Sequence, residues 1–409
     1  MKTWVESRKQ LKRNHILDLI RRSPDPLSRY DLKKMTGYSM TTVSNNVSEL
    51  IEDRLVTEDA CADSGRMGRK PVFLHLNPAG GCFIGIEFNI EALHYVVLDF
   101  TCTPLFSGEE DICEPVSADG ILKLIFRKTQ ACLDELHRRG VPSGRVLGIG
   151  LGLPGYLDAG TGVALSYPYL SDWVNIPIVQ MMEERFHLPC HIGNNVGVMG
   201  LVFKWISAYR ADEDFLLISI RSGVRCIPVL NQEPYSGRIS TTGEIGHLKV
   251  SSGTRVCDCG ATGCLNTEIA DFSIRAILEE GFAQGRYQAV RALCGPGRPS
   301  VSLLARAARA GDAESQALIA RSARFLGTAV AEAANLFAPQ KVILSGRLVQ
   351  AGELFMDPLR RRVVKNCLPA VNSHMEILAS PFGDGIGALG AATLTLEREF
   401  NPLVQRSAL

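Results

Sequence analysis

Residues 243–247 spell Gly-Glu-Ile-Gly-His, and ten residues after that histidine the chain continues Cys-Asp-Cys-Gly-Ala-Thr-Gly-Cys. One imidazole and three thiols thus fall in a short stretch, at His247, Cys257, Cys259 and Cys264. Zinc binds thiolate sulfur and imidazole nitrogen in a tetrahedron, so these four side chains form a complete ligand set. Gly260 and Gly263 permit the tight turns that would point the sulfurs inward. The spacing favours a structural zinc ion over four unconnected buried or free side chains.

The same stretch resembles the zinc signature of the ROK family, whose members are repressors, open reading frames of unknown role, and sugar kinases. In that family the metal holds a loop whose glutamate and histidine also contact the sugar. The resemblance covers essentially the whole chain of 409 residues. Because the family contains both regulators and enzymes, the remaining sequence has to decide between them.

Composition limits the possible functions. Lys and Arg number 44 against 43 Asp and Glu, which gives a net charge of +1, so nucleic-acid binding would require a local basic patch. The amino terminus lacks the apolar core of a signal peptide, and no run of eighteen apolar residues occurs. We therefore expect a cytoplasmic protein without a membrane partner. The 12 cysteines indicate thiols and a metal site rather than disulfides.

The first 76 residues have the pattern of a winged helix-turn-helix domain. Helical spacing predicts three helices, at residues 9–22, 29–35 and 40–53, with Ser28 and Ser39 as caps of the second and third. Strands at 54–59 and 72–76 flank a basic, glycine-rich tip at 65–71. This segment also resembles the winged helix-turn-helix of ROK repressors. The alternative is a small helical dimerisation domain with a solvated basic loop.

Short polar side chains on the third helix are predicted to read base edges in the major groove of double-stranded operator DNA, while the wing holds the phosphate backbone. The predicted DNA-contacting residues are Ser39, Thr41, Thr42, Ser44, Asn45, Asn46, Arg66, Arg69 and Lys70. Residues 1–72 contain fourteen Lys and Arg against ten Asp and Glu, an excess of +4, which supports this prediction.

Residues 77–409 are predicted to form an α/β domain of two mixed-sheet lobes, because strand patterns alternate with helical ones and end in glycines. Predicted strands lie at 82–87, 93–99, 146–151, 190–195, 215–220 and 225–230, and predicted helices at 118–139 and 176–186. The resemblance implies the actin-like, ribonuclease-H-like fold of ROK sugar kinases, here serving effector binding and oligomerisation.

Kinase chemistry is not expected, because the positions that match the family's catalytic pattern are altered. The first phosphate loop, DxGxTK in the kinases, is Glu87-Phe88-Asn89-Ile90-Glu91, and the second contains Arg225 where a glycine is usual. Asn195 stands at the position of the catalytic base, and an amide cannot accept the proton of a sugar hydroxyl. The usual glycine pair on the adenine side is reduced to Gly346 after Ser345.

The resemblance implies a sugar site in which polar side chains pair with hydroxyls. The implied residues are Gly155, Asn194, Asn195, Glu244, His247 and Asn266. Asn266 replaces the usual glutamate of the family, and Glu268 could substitute for it if the loop shifts. Asn194 and Asn195 could instead be an ordinary turn pair, and Glu244 could orient His247.

Together these features predict a sugar-responsive transcriptional regulator, a repressor by family habit, that controls genes of carbohydrate uptake or catabolism. The protein would bind two DNA half-sites as a homodimer or homotetramer. Two alternatives remain: a regulator that senses a partner protein or no ligand, and an active sugar kinase with an added domain.

Overall fold

The computed structural model describes residues 4–60, 72–89, 91–112, 117–206, 214–231, 233–235 and 242–401. The chain divides into two compact units. Unit 1 comprises Met1–Arg210 with Gly387–Leu409, and unit 2 comprises Ala211–Ile386. Within the described part of the chain, none of the helices is both long and apolar enough to cross a membrane.

The amino-terminal region of unit 1 contains three helices and a small antiparallel sheet. Its elements are α1 (Trp4–Arg22), β1 (Leu27–Ser28), α2 (Arg29–Thr36), α3 (Met40–Glu52), β2 (Val56–Ala60) and β3 (Val72–Leu76). β3 lies between β1 and β2 and is antiparallel to both. The three predicted helices and two predicted strands are confirmed to within a few residues, whereas β1 was not predicted. The predicted wing tip at 65–71 lies outside the described residues.

Local chemistry sets the turn between α2 and α3. The hydroxyl oxygen of Ser28 accepts from the N–H of Asp31, and the Asp31 carboxylate accepts from the N–H of Ser28, which is a complete capping box. Gly37 ends α2 with φ of 68°, a left-handed conformation that favours glycine. Ser39 then caps α3 by accepting from the N–H of Thr42. Both predicted caps are confirmed.

Among its described residues, the remainder of unit 1 is built on a five-stranded mixed sheet, a three-stranded meander and four helices. In chain order the elements are β4 (Cys82–Phe88), β5 (Ala92–Asp99), β6 (Pro104–Asp111), α4 (Ala118–Arg138), β7 (Val146–Leu153), β8 (Tyr156–Asp158), β9 (Val163–Tyr167), β10 (Leu170–Ile176), α5 (Ile178–Phe186), β11 (Cys190–Asn194), α6 (Met199–Trp205) and α14 (Ile386–Phe400). The sheet order is β11-β7-β4-β5-β6, with β7 and β11 parallel to β4, and β8 to β10 form the meander.

Helix α14 lies directly against the middle of this sheet. A Cβ at Gly85 would come within 2.2 Å of the Ala388 oxygen, and one at Gly150 within 1.7 Å of the Ala391 oxygen. Glycine at these strand positions therefore permits the close approach of the helix. The other side of the sheet is covered by α4, whose buried residues include Ile121, Ile125 and Leu136.

The amino-terminal helices share a hydrophobic core with the rest of unit 1. Ile16 and Leu50 belong to the same buried cluster as Phe83, Leu98 and Trp205. Apolar burial of this kind contributes roughly 25 cal/mol per Å² of buried surface. The region before residue 77 is thus packed onto the body of unit 1.

Unit 2 contains a second five-stranded sheet and seven helices among its described residues. In chain order the elements are β12 (Phe215–Ile220), β13 (Val224–Leu230), β14 (Glu233–Pro234), α7 (Asn266–Ile269), α8 (Asp271–Ala283), α9 (Gln288–Cys294), α10 (Val301–Arg309), α11 (Ala313–Phe337), β15 (Lys341–Gly346), α12 (Glu353–Asn366), α13 (Pro369–Asn372) and β16 (Glu376–Ala379). The order is β14-β13-β12-β15-β16. The predicted hairpin is confirmed as the antiparallel pair β12–β13.

Candidate functional site

The four predicted metal ligands converge in unit 2. The ligand atoms of His247, Cys257, Cys259 and Cys264 all lie within 4.8 Å of one another. Cys257 Sγ is 3.5 Å from His247 Nδ1, and Cys259 Sγ is 3.7 Å from Cys264 Sγ. In a tetrahedron with zinc–sulfur bonds of about 2.3 Å, two sulfurs stand about 3.8 Å apart. The donor set and its spacing therefore fit a tetrahedral metal ion.

The loop around the ligands is shaped by backbone geometry. Gly260 and Gly263 adopt φ of 83° and 75°, and a Cβ at Gly263 would come within 2.3 Å of the Ser251 oxygen. The main-chain N–H of Ala261 donates to the Cys259 thiol and lowers its pKa to about 7. A thiol of low pKa becomes a thiolate near neutral pH, which is the form that binds a metal.

Glu244 directly precedes the short 3-10 segment Ile245–His247 that carries the histidine ligand. Its Oε1 atom lies 3.0 Å from Arg225 Nε, and the arginine comes from the start of β13. The main-chain N–H of Cys226 donates to the Gly243 oxygen over 2.7 Å, which fixes the two stretches together. The carboxylate predicted to bind sugar is thus already paired with a guanidinium group.

The side chain of Asn266 holds the turn at the start of β13 in place. Its Oδ1 atom accepts from the Val224 N–H over 2.8 Å, and a Cβ at Gly246 would approach that oxygen to 2.1 Å. Glu268 does not take over its role, because its two carboxylate oxygens accept from Ser251 Oγ and contact Arg321. In this conformation Glu268 is therefore engaged within the protein, and its substitution for the missing glutamate would still require a shift of the loop.

Asn195 and Glu87 meet inside unit 1. Asn195 Nδ2 donates to Glu87 Oε1 over 3.3 Å, and the side chains are 8% and 0% exposed. A side-chain amide donates through its nitrogen, so Nδ2 of Asn195 faces the Glu87 oxygen. Burial and the nearby Glu87 carboxylate raise the pKa of Tyr167. Asn195, predicted to stand at the position of the kinase base, is therefore a buried amide held by a carboxylate.

Asn194 acts mainly on its own turn. Its Oδ1 atom accepts from the N–H groups of Val196 and Gly197, and its Nδ2 atom donates to the Gly155 oxygen over 3.2 Å. Gly155 has φ of 79°, and a Cβ there would lie 2.2 Å from the Ser166 oxygen. Both residues shape the backbone around Asn195, which favours the turn-pair alternative for Asn194.

Two arginines form ionic contacts at the ends of β12 and β15, next to the segments that resemble the nucleotide-binding loops of the kinases. Arg221 follows β12 and Arg347 follows β15, two parallel strands whose last residues pair. The Arg221 guanidinium donates to the Asp384 main-chain oxygen, and Arg347 lies 3.3 Å from the Asp384 carboxylate. Arg347 also lies 3.6 Å from Asp271. Arg221 and Arg347 are therefore held by acidic residues and main-chain oxygen of the same unit.

The outer face of α3 presents most of the predicted DNA-contacting residues. Thr41, Asn45 and Ser39 are exposed, and Thr42 and Ser44 are half-buried, whereas Val43, Val47 and Leu50 are buried. Asn46 differs from the prediction: it is 5% exposed, and its Nδ2 atom donates to the Thr42 oxygen. Its place on the buried stripe removes it from the DNA-facing set. Arg66, Arg69 and Lys70 lie outside the described residues.

Sequence reasoning missed a buried polar cluster where α1 meets α6 and α14. Lys204 Nζ lies 3.0 Å from both carboxylate oxygens of Glu397, and Trp205 Nε1 donates to Glu397 Oε2 over 2.8 Å. Arg21 stacks over the Trp205 ring at 4.2 Å. A single lysine in the apolar run 199–205 was the available signal, because such a charge requires a partner.

Comparison with known proteins identifies the family. The profile of the ROK family matches residues 130–398. The chain belongs to the ROK family. The xylose repressor of Caldicellulosiruptor bescii is 26% identical over 370 residues, which cover 90% of this chain and 92% of the repressor. The glucokinase of Thermotoga maritima is 31% identical over 251 residues, which cover 61% of this chain and 79% of the kinase.

A solved structure described as a ROK family transcriptional regulator, a homologue of Escherichia coli Mlc, shares the fold. It superposes with a TM-score of 0.81 at 24% identity and covers 97% of this chain and 98% of its own. The relatives that match over nine-tenths of this chain are named as repressors and regulators, whereas the kinase matches a smaller share. The chain is a regulator-type ROK protein and not one of the family's kinases.

Proposed function

We propose that this protein represses genes of carbohydrate uptake or catabolism by binding operator DNA, and that a sugar bound in the kinase-like part changes its affinity for DNA. Residues 1–76 would be the DNA-binding domain, and residues 77–409 the domain for effector binding and oligomerisation. The proposal also includes a homodimer or homotetramer that binds two half-sites.

The observation that carries this proposal is the polar outer face of α3. The buried stripe Val43, Val47 and Leu50 leaves Thr41 and Asn45 on the solvent side, after a tight turn at Gly37. In a helix-turn-helix pair the second helix enters the major groove with its first turns against base edges. Threonine and asparagine there supply hydrogen bonds that distinguish bases.

The effector part of the proposal rests on polar residues within each unit: Gly155, Asn194 and Asn195 in unit 1, and Glu244, His247 and Asn266 in unit 2. Asn195 offers an amide in place of a catalytic carboxylate, so the site can retain hydrogen bonds to hydroxyls without transferring a phosphoryl group. We propose that zinc is bound by His247, Cys257, Cys259 and Cys264, where it would supply structural stabilisation of the loop.

Selection from random duplex DNA with the full-length protein tests the first part of the proposal. We expect a palindromic site whose binding weakens steeply with salt, because lysine and arginine contacts displace counterions from the phosphates. Enrichment of no site would contradict DNA recognition. Asn45→Ala should change the selected bases, whereas Ser48→Ala, an exposed position later on α3, should leave them unchanged.

Isothermal titration with glucose, xylose, N-acetylglucosamine and their phosphates tests the effector. Binding that changes DNA affinity would support the sugar-responsive function. DNA binding with no response to any of these compounds would favour the alternative, a regulator that responds to a partner protein. The pairing of Glu244 with Arg225 is the observation that keeps this alternative open.

A coupled assay with ATP across the same neutral sugars tests for kinase activity. We expect none, because Asn195 lacks a basic group, the first phosphate loop is altered at residues 87–91, and Arg225 stands where the second loop usually has a glycine. Asn195→Asp should also remain inactive, because it restores the base and not the loops. Turnover above roughly one per second, an ordinary enzymatic rate, would contradict this proposal.

A further inference from the structure

Helix α6 begins four residues after Asn195 and ends at Trp205, so it joins a proposed effector residue to the buried polar cluster beside α1. All of these elements belong to unit 1. The geometry along this helix bears on how the proposed effector site could communicate with the proposed DNA-binding domain.

The end of α6 near Asn195 is tightly packed. The Val198 N–H donates to the Asn194 oxygen over 2.9 Å. A Cβ at Gly193 would come within 2.6 Å of a Val198 methyl carbon, and one at Gly390 of α14 within 2.1 Å of the Val198 oxygen. Glycine at both positions therefore permits close packing of β11 and α14 against the turn that leads into α6.

The other end of α6 is held by charge and hydrogen bonds. Glu397 of α14 accepts from Lys204 Nζ, Trp205 Nε1 and Asn401 Nδ2, and the lysine side chain is only 2% exposed. A buried carboxylate with three donors has strict geometric requirements, since each lost partner leaves charge or a polar atom without compensation. The cluster therefore fixes the orientation of the Trp205 ring.

Helix α1 contacts this ring through the side chain of Arg21. The Arg21 guanidinium lies 4.2 Å from the centre of the Trp205 ring, and its Nη1 atom donates to the Lys204 oxygen over 3.2 Å. Asp18 pairs with Arg21 at 2.6 Å and with Arg22. Farther along α1, Ile16 belongs to the buried cluster that contains Val47 of α3.

We propose that α6 transmits changes between the loop at Asn195 and the helix-turn-helix region, with Arg21, Trp205 and Glu397 as positioning residues at the joint. This inference rests on the proposed function. Arg21 and Trp205 would contact neither DNA nor sugar. They would determine how much a displacement of α6 also displaces α1. Because coupling between two sites is reciprocal, DNA bound at α3 must then alter the loop at residues 194–199.

Hydrogen exchange of the full-length protein, with and without the selected duplex DNA, tests this inference without an identified effector. In the wild-type protein we expect DNA to change exchange at residues 194–199 by about 5-fold or more, the lower range of ordinary allosteric coupling. Arg21→Met retains an apolar side chain on the tryptophan but removes the cation and the bond to Lys204. It should still bind DNA, and the response at 194–199 should be lost.

Arg22→Met is the matched control, because it removes the neighbouring charge that pairs with the same aspartate. It should keep the response. If Arg21→Met fails to fold, Trp205→Phe, which removes the bond to Glu397, provides the same test. Normal DNA binding with unchanged exchange at 194–199 in the wild-type protein would overturn the inference. Loss of all DNA binding by the wild-type protein would instead contradict the proposed function.

Discussion

The buried cluster around Glu397 in unit 1 and the Cys3His cluster in unit 2 hold their surroundings in different ways. Glu397 has a cation and two neutral donors within 3.0 Å, so protein atoms alone satisfy it. The three cysteines and His247 bring four metal-binding side chains together, with Lys249 Nζ 2.8 Å from Cys264 Sγ. Protein atoms complete the first cluster, whereas we propose that a metal ion completes the second, so the stabilities of the two clusters should respond to different perturbations.

Removal of the metal from the Cys3His cluster should have the largest effect on stability. Cys259→Ser should lose the metal and lower the free energy of unfolding by several kcal/mol, because metal affinity in such sites, roughly 10 kcal/mol or more in small domains, contributes to folding. Elemental analysis together with thermal unfolding measures both losses. Cys294→Ser, a thiol outside the cluster, should leave metal content and stability unchanged. A wild-type protein that is fully folded and metal-free would refute the zinc proposal.

Disruption of the Glu397 cluster in unit 1 should have the second-largest effect on stability. Lys204→Met leaves the buried Glu397 carboxylate without its cation and should cost about 3–5 kcal/mol, measured by urea unfolding. The double variant Lys204→Met/Glu397→Gln should recover much of that loss, because the buried charge is removed as well. Lys123→Met is the control: its partner Asp119 is exposed, and we expect less than about 1 kcal/mol. If Lys204→Met and Lys123→Met lost equal free energies of unfolding, burial would not be what makes the Lys204–Glu397 pair important.

The polar face of α3 is exposed, and the proposed role of its side chains depends on neither a metal ion nor burial. Asn45→Ala should leave thermal stability nearly unchanged and cost about 1–3 kcal/mol of binding to the selected DNA site, since one base contact is lost. Fluorescence anisotropy with matched and scrambled duplexes measures this difference. An equal loss on both duplexes would indicate a phosphate contact and would contradict base recognition.

Loss of the capping box of α2 should have the smallest effect of these changes, a small decrease in local stability. Ser28→Ala should cost about 1 kcal/mol of local stability, measured by hydrogen exchange in α2. The Ser28 hydroxyl and N–H hold the pKa of Asp31 below its usual value of 3.8. A depressed carboxyl pKa stabilises the fold above pH 3.8, and this contribution disappears as the pH falls through the lower folded value. A cost that does not diminish in acid would contradict the role of Asp31.

The loop at Asn266 shows why the effector site was only partly predictable. The sequence shows that a carboxylate is absent there, and the structure shows that the amide instead bonds to the Val224 N–H. Glu268 is two residues away, yet Arg321 and Ser251 engage it. Neither partner follows from spacing, because Arg321 lies on α11 and reaches the loop only through tertiary packing.

Short-range patterns were sufficient for the metal ligands, the caps at Ser28 and Ser39, and the helices α1 to α3. Each depends on residues close in the chain, whose side chains meet through turns and helical periodicity alone. Asn46 marks the limit of this reasoning. Its polar type suggested the outer face of α3, but its position on the helix turns it toward the core.

The sequence by itself determined the grouping of three cysteines with His247, the helix-turn-helix pattern, and the asparagine where the resemblance expects the kinase base, because these are matters of residue type and local spacing. Only the tertiary structure decided that Lys204 meets Glu397, that Arg21 covers Trp205, and that Arg225 pairs with Glu244. Such pairs join residues distant in the chain, and they form because a buried charge requires a partner in space, wherever the fold provides one.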